Sequence, residues 1–192
     1  MKDFKMIQEQ LKTALDEPRY EHTLGVMYTA GCMAMAHGYD IEQAMLAGLL
    51  HDCAKCMSHE ARLELCQLYG VEVTQSELDN KALLHAKAGA IVAKQQYHIE
   101  NEGILHAIKV HTTGEPDMNT LDKIIYIADY IEPGRDKAPN LTIVRELAYK
   151  DLDACMAQIL YDTLQYLQSR GGLIDLTTEQ TYEFYKEYRK ER

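Results

Sequence analysis

Ala47-Gly48-Leu49-Leu50-His51-Asp52-Cys53-Ala54-Lys55 runs from a purely apolar stretch into an imidazole and a carboxylate side by side. A carboxylate on an apolar helix needs a partner, because an unpaired buried charge is costly. Adjacent side chains on a helix point about 100° apart, so His51 and Asp52 reach one ion only if it lies in the groove between neighbouring helices. The remaining ligands must then come from elsewhere in the chain. The wider sequence agrees with a helical setting: apolar residues recur at spacings of three and four, with almost no strict alternation long enough for a strand. The expectation is an all-α fold.

Working outward, Asp40 is placed to cap the helix from Ile41 to about Cys53. Pro18 begins an earlier helix that runs to about His37, with Gly38 in the left-handed stop position. Downstream, Ser58 caps a helix ending near Gly70, and Val71 to Glu77 reads as connecting loop. Helices follow at about Lys81 to Tyr97, Gly103 to His111, Thr120 to Ile131, Thr142 to Lys150 and Asp151 to Gln168. Thr177-Thr178-Glu179-Gln180 has capping-box spacing and opens a last helix. No repeat, low-complexity tract or Pro/Gly/Ser linker divides the 192 residues, so a single domain spanning 1–192 is expected, its core at about 18–170. The irregular segments 112–119, 133–140 and 171–177 contain Gly or Pro and are where ligand contacts are expected.

Composition narrows the partners. Twenty Lys and Arg against 30 Asp and Glu give a formal charge of -10, which repels nucleic acid and anionic lipid. No apolar run approaches the roughly 18 residues of a spanning helix, and Met1-Lys2-Asp3-Phe4-Lys5 lacks the apolar core of a signal peptide. Five scattered cysteines, an odd number, fit reduced thiols in the cytoplasm. Cys53-Ala54-Lys55-Cys56 has C-x-x-C spacing, but it has no second pair, lacks βαβ surroundings and overlaps the His-Asp pair. Nine methionines, several at helical spacing, read as adaptable core. An anionic substrate would have to be met by local positive charge.

Candidate partners for His51-Asp52 lie on other predicted helices. His22 has Val26, Thr29 and Met33 along its stripe, and Asp129 stands in Ile125-Tyr126-Ile127-Ala128-Asp129-Tyr130-Ile131. His85 shares a stripe with Leu84, Ala88 and Val92, whereas His37, His59 and His98 sit at helix ends or among polar residues. His106, five residues before His111, points to another face. A lone histidine on an apolar face is more often a satisfied core residue than a ligand. Here His22, His51-Asp52, His85, His111 and Asp129 follow in order, all but one of them on successive helices. Gly25, Gly48 and Gly89 lie mid-helix within a turn of three of these histidines, each costing about 1 kcal/mol against alanine. Close helix approach around a shared centre would account for them, as would ordinary tight packing. Two imidazoles and two carboxylates suit iron or manganese better than a thiolate zinc site or an all-oxygen magnesium site.

The pattern resembles the HD-domain metal-dependent phosphohydrolases, all-α bundles whose signature is His, then His-Asp, then a distant Asp. The match extends through His51-Asp52-Cys53-Ala54-Lys55, Leu84-His85-Ala86, Ile108-Lys109-Val110-His111-Thr112-Thr113-Gly114, Tyr126 to Arg135, and Gly172-Leu173-Ile174-Asp175. It is similar in these stretches to the YqeK-type branch, over about Tyr20 to Tyr185. The resemblance implies symmetrical hydrolysis of diadenosine tetraphosphate to two ADP by a metal-activated water, with iron as the metal. It implies that His22, His51, Asp52 and Asp129 hold the ion, and that Lys55, His85, His111, Thr112 and Arg135 face the phosphates. Asp52, Lys55, His85 and His111 would be the catalytic groups, with His85 and His111 serving as phosphate ligands and proton donors or as ligands to a second metal. The loop and helix at 171–192 would complete the nucleotide site through Gly172, Leu173, Ile174, Asp175 and Thr177, with Tyr182 against the base. Leu176 stands where a proline is expected, and the Gly-Tyr-Pro motif of the branch that cleaves cyclic dinucleotides is absent. Another HD-type nucleotidase or phosphodiesterase, or a non-catalytic nucleotide sensor, would carry the same ligands. A homodimer stays open as the assembly.

Overall fold

In the computed structural model, which describes residues 4–171 and 174–189, every regular element is helical. The order is α1 (Phe4–Ala14), α2 (Glu17–Ala36), α3 (Ile41–Leu50), α4 (His59–Leu68), α5 (Gln75–Asp79) and α6 (His85–Gln95). Then come α7 (Glu102–Val110), α8 (Thr120–Ile131), α9 (Leu141–Leu147), α10 (Leu152–Ser169), α11 (Leu176–Tyr185) and a 3-10 turn at Lys186–Tyr188. Local chemistry sets most boundaries. Asp16, Asp40, Ser58 and Asp151 each turn a side-chain oxygen onto a backbone N–H of the first turn. Gly38 takes φ +64 just past α2, as a left-handed stop requires.

Several boundaries differ from the sequence reading: α6 starts at His85 instead of Lys81, and α9 ends at Leu147 instead of Lys150. α1 precedes Pro18 and buries Ile7 and Leu11 against the core, so the packed region begins earlier than residue 18. α5 lies within the segment read as loop, held by a capping box in which Thr74 and Glu77 exchange hydrogen bonds. α3 stops at Leu50, leaving His51 as its C-cap and Asp52 to Lys55 in a following turn. α11 is capped by Asp175, which accepts from Thr177 N–H, so Leu176 is its first residue. Proline is tolerated at that position, and the backbone of Asp175 (φ -67, ψ 131) already has the extended form a following proline demands. Leu176 therefore replaces the expected proline without changing the path of the chain.

α2 packs along α3 and α8, α6 pairs with α7, and α8 also touches α7 and α10. One apolar cluster runs from Ile7 through Met27, Leu49, Ile108 and Ile125 to Tyr185. Small residues bring the helices together: a Cβ on Gly48 would stand 3.0 Å from Met27 Cα, and one on Gly89 would stand 3.3 Å from Ile108 Cγ2 and 3.5 Å from His51 O. Gly48 and Gly89 thus sit where a neighbouring backbone comes close, whereas Gly25 faces the side chain of Glu132. This draws the middle of α2, the ends of α3, α7 and α8, and the start of α6 to one point.

Candidate metal centre

At that point four imidazoles form a row. Ring centroids are 5.3 Å apart from His22 to His51, 5.0 Å from His51 to His111 and 5.0 Å from His111 to His85. Asp52 and Asp129 lie along the row. His22 Nε2 is 2.9 Å from Asp129 Oδ1 and 3.9 Å from Asp52 Oδ2, and His51 Nε2 is 3.5 Å from Asp52 Oδ2 and 3.9 Å from Asp129 Oδ1. At the far end, Asp52 Oδ1 is 2.9 Å from His85 Nε2 and 3.6 Å from His111 Nε2. The sequence-predicted ligands are therefore brought together, and Lys55 joins them with its ammonium 3.1 Å from His85 Nε2.

The other ring nitrogens decide what this row can bind. His51, His85 and His111 each direct Nδ1 at the carbonyl three residues earlier, on Gly48 (2.7 Å), Ala82 (2.5 Å) and Ile108 (2.7 Å). A ring nitrogen facing a carbonyl must donate, so Nδ1 carries a proton and Nε2 is the atom each ring turns to a carboxylate when protonated or to a cation when neutral. His22 reaches the same state by another route, its Nδ1 lying 3.1 Å from Glu132 Oε1. Each Nε2 thus faces a carboxylate oxygen, and when the rings are neutral that pairing calls for a cation between them. Accordingly His22 Nε2, His51 Nε2 and Asp52 Oδ1 are buried with no hydrogen-bond partner. His22, His51 and Asp129 offer donor atoms within 4.8 Å of one another, as do His51, Asp52 and His111. The donor set fits a metal ion.

Electrostatics point the same way. Burial alone would raise the carboxyls of Asp52 and Asp129, but the surrounding imidazoles, with Arg135 beside Asp129, hold both below the usual range. Both stay ionised. Burial lowers His85 to about 4 against the pull of Asp52, so it is neutral near pH 7. Burial also lowers Lys55, opposed by the same carboxylate.

Several supporting residues escaped the sequence reading. Arg19, one turn before His22, places a guanidinium nitrogen 2.6 Å from Asp52 Oδ2. Glu132, inside the quoted Tyr126 to Arg135 stretch but given no role, holds His22 and also accepts from Gly134 N–H at 2.6 Å. Arg145 clamps that loop by donating to the carbonyls of Ile131, Glu132 and Arg135. The i, i+3 spacing of Arg19 and His22 was a usable signal; nothing local marks Arg145.

The remaining candidates are placed as follows. Arg135 donates to Asp129 twice, to Oδ1 at 2.6 Å and to its carbonyl at 2.9 Å. Thr112, Asp175 and Thr177 line a small cavity of about 160 Å³ that also includes Ala86 and Val110 but neither His85 nor His111; Ile174 is half-buried and not in its lining. Gly172 and Leu173 lie outside the described residues. Tyr182 is not in that lining; its ring centre is 6.3 Å from that of Tyr161. His106 stands apart from the row, between Glu115 and Asp122. Cys53 is buried and Cys56 exposed, both unbridged.

With this geometry in hand, comparison with known proteins places the chain in a class. Residues 19–134 match the HD domain, and the chain belongs to that family. Within the family it is 38% identical over 174 residues to proteins of Halalkalibacterium halodurans and Bacillus subtilis, each named bis(5'-nucleosyl)-tetraphosphatase, symmetrical. Those matches cover 90% of this chain and 91% of each relative. A Staphylococcus aureus protein of the same name is 38% identical over 164 residues, covering 81% of this chain and 80% of that one. A crystal structure from Clostridium acetobutylicum, described as a "predicted HD superfamily hydrolase involved in NAD metabolism", superposes with a TM-score of 0.93 at 39% identity, covering 98% of this chain and 100% of the other.

Proposed function

We propose that the chain is a metal-dependent hydrolase that splits diadenosine tetraphosphate symmetrically, consuming one water and giving two ADP. The observation that carries this reading is the trio of unpartnered buried donors, His22 Nε2, His51 Nε2 and Asp52 Oδ1, in a chain of HD type. The activity named for its relatives supplies the substrate. His22, His51, Asp52 and Asp129 would hold the ion; a mixed nitrogen and oxygen set without thiolate favours iron, with manganese as the alternative. Bound there, such an ion supplies a water of lowered pKa and neutralises charge on a phosphoryl oxygen.

The chain's own residues do the rest. Arg135 and Arg19 each spend one guanidinium nitrogen on a carboxylate, leaving N–H groups for phosphate oxygens. Lys55 adds an ammonium at the His85 end of the row. His85 positions that ammonium and contacts phosphate beside His111 and Thr112. Asp175 and Thr177, at the start of α11, would contact the nucleotide, the role also expected of Gly172, Leu173 and Ile174. Two ADP leave when water oxygen bonds to one middle phosphorus and the bridging oxygen departs with the electron pair. We place the reaction in the cytoplasm, which suits five unbridged cysteines.

The test is metal analysis of protein purified without oxygen, followed by separation of the products. ADP is expected as the sole nucleotide. ATP plus AMP would overturn the symmetrical assignment, and no cleavage with iron or manganese would overturn the activity. Tight nucleotide binding without turnover would identify a sensor instead, and turnover confined to smaller nucleotides another HD-type phosphatase. A second ion held by Asp52, His85 and His111 is favoured by one observation: His85 Nε2 and His111 Nε2 lie 3.1 Å apart. Two metals per chain would establish it.

A further inference from the structure

The row of imidazoles has two ends, and His22 at one of them lines a cavity. The small cavity with Thr112, Asp175 and Thr177 is lined by Ala86 and Val110, sequence neighbours of His85 and His111, and by neither histidine. At the His22 end opens a much larger cavity, about 970 Å³, between α2 and the loop after α8. Arg19 and Arg135 line it, and its apolar contributions come from Pro18, Leu24, Tyr28 and Pro133. Tyr28 is 59% exposed, so its ring face is open to a ligand.

Cutting a dinucleotide at its midpoint places equal arms on both sides of the reacting phosphorus. A site that held only one arm would bind a mononucleoside polyphosphate as well as the dinucleotide. The two guanidinium groups stand between the donor cluster and the large cavity, so a polyphosphate leaving the cluster past them delivers its nucleoside there. The volume is of the size that small-molecule sites commonly have.

We propose that this cavity is a second nucleoside subsite, in which the base lies on the ring of Tyr28, so that the chain recognises both ends of its substrate. The proposal rests on the hydrolase reading above. Tyr28 lies outside the donor cluster and is exposed, so replacing it leaves the metal ligands in place.

The test compares two ligands on the full metal-loaded chain by calorimetry: diadenosine tetraphosphate with a methylene in place of its middle bridging oxygen, and adenosine 5'-tetraphosphate. The two-armed ligand is expected to bind the wild type at least about tenfold more tightly, the scale of one base stacked on one aromatic ring. In Tyr28→Ala that advantage should fall to within about twofold, and Tyr28→Phe should restore it. An unchanged advantage in Tyr28→Ala, no restoration in Tyr28→Phe, or no advantage in the wild type would overturn the subsite. Product analysis separates the two claims. Intact ADP production with an unchanged advantage overturns the subsite alone, whereas failure to hydrolyse diadenosine tetraphosphate at all overturns the hydrolase reading and the subsite with it.

Discussion

Gly25 lies where the side chain of Glu132 crosses α2, and a Cβ there would stand 2.5 Å from Glu132 Oε2. Since Glu132 orients His22, Gly25→Ala should displace the carboxylate, turn the imidazole and weaken metal binding by about 10–100-fold, the usual effect of losing a ligand's orienting partner. Competitive chelator titration beside a thermal melt checks this: affinity should drop far more than stability. His85 gives a second prediction at this scale. Its folded pKa of about 4 lies below the ordinary 6.5, so between those values the unfolded chain takes up a proton that the folded one refuses. Stability of the metal-free protein should therefore be complete above about pH 6.5 and decline as pH falls toward 4, by up to about 1.4 kcal/mol per unit. Urea denaturation at pH 7 and pH 5 should show a gap smaller by about 2 kcal/mol in His85→Asn. Asp52 and Asp129, whose carboxyls are lowered, lose their contribution only further down, so they do not blur this window.

At the scale of elements, α11 packs on α10 and is tied to the segment before α8 by a hydrogen bond. The Tyr185 hydroxyl accepts from Met118 N–H at 2.9 Å, with Tyr185 1% and Met118 3% exposed. Tyr185→Phe strands a buried N–H and should cost about 1–3 kcal/mol in urea denaturation; a cost under about 0.5 kcal/mol would mean that water replaces the hydroxyl. Helix starts were readable where one capping residue stood alone, as with Asp40 and Ser58. They were misplaced where two candidates competed: Asp175 and Thr177 are two residues apart, and the hydrogen bond between them settles the start in favour of Asp175. α5 is too short, at five residues, to show a period, leaving only its capping box as a signal. α1 did carry one, since Phe4, Ile7 and Leu11 lie at helical spacing and pack on the core.

Over the whole molecule, a formal charge of -10 surrounds a cleft furnished with Lys55, Arg19 and Arg135. A short polyphosphate can enter, whereas a long polyanion meets acidic surface along most of its length. A single-stranded oligonucleotide at about 100 times the substrate concentration should therefore leave hydrolysis unchanged; inhibition that vanishes with added salt would reveal an extended basic track. The all-α class was legible because the helical period is local, and the His-Asp pair because its two residues are adjacent. The partners were not, because they are joined only by folding: Arg19 reaches Asp52 across 33 residues, and His22 meets Glu132 across 110. That last span sets an order of events. Three of the row's imidazoles are aimed by carbonyls three residues back in their own chain segment, so each is correctly turned as soon as its local turn exists. His22 alone waits for residues beyond Ile131, so during synthesis the earliest ligand to emerge is the last to be set. Until then no segment presents a finished centre, and loading with metal becomes a report that both ends of the domain have met.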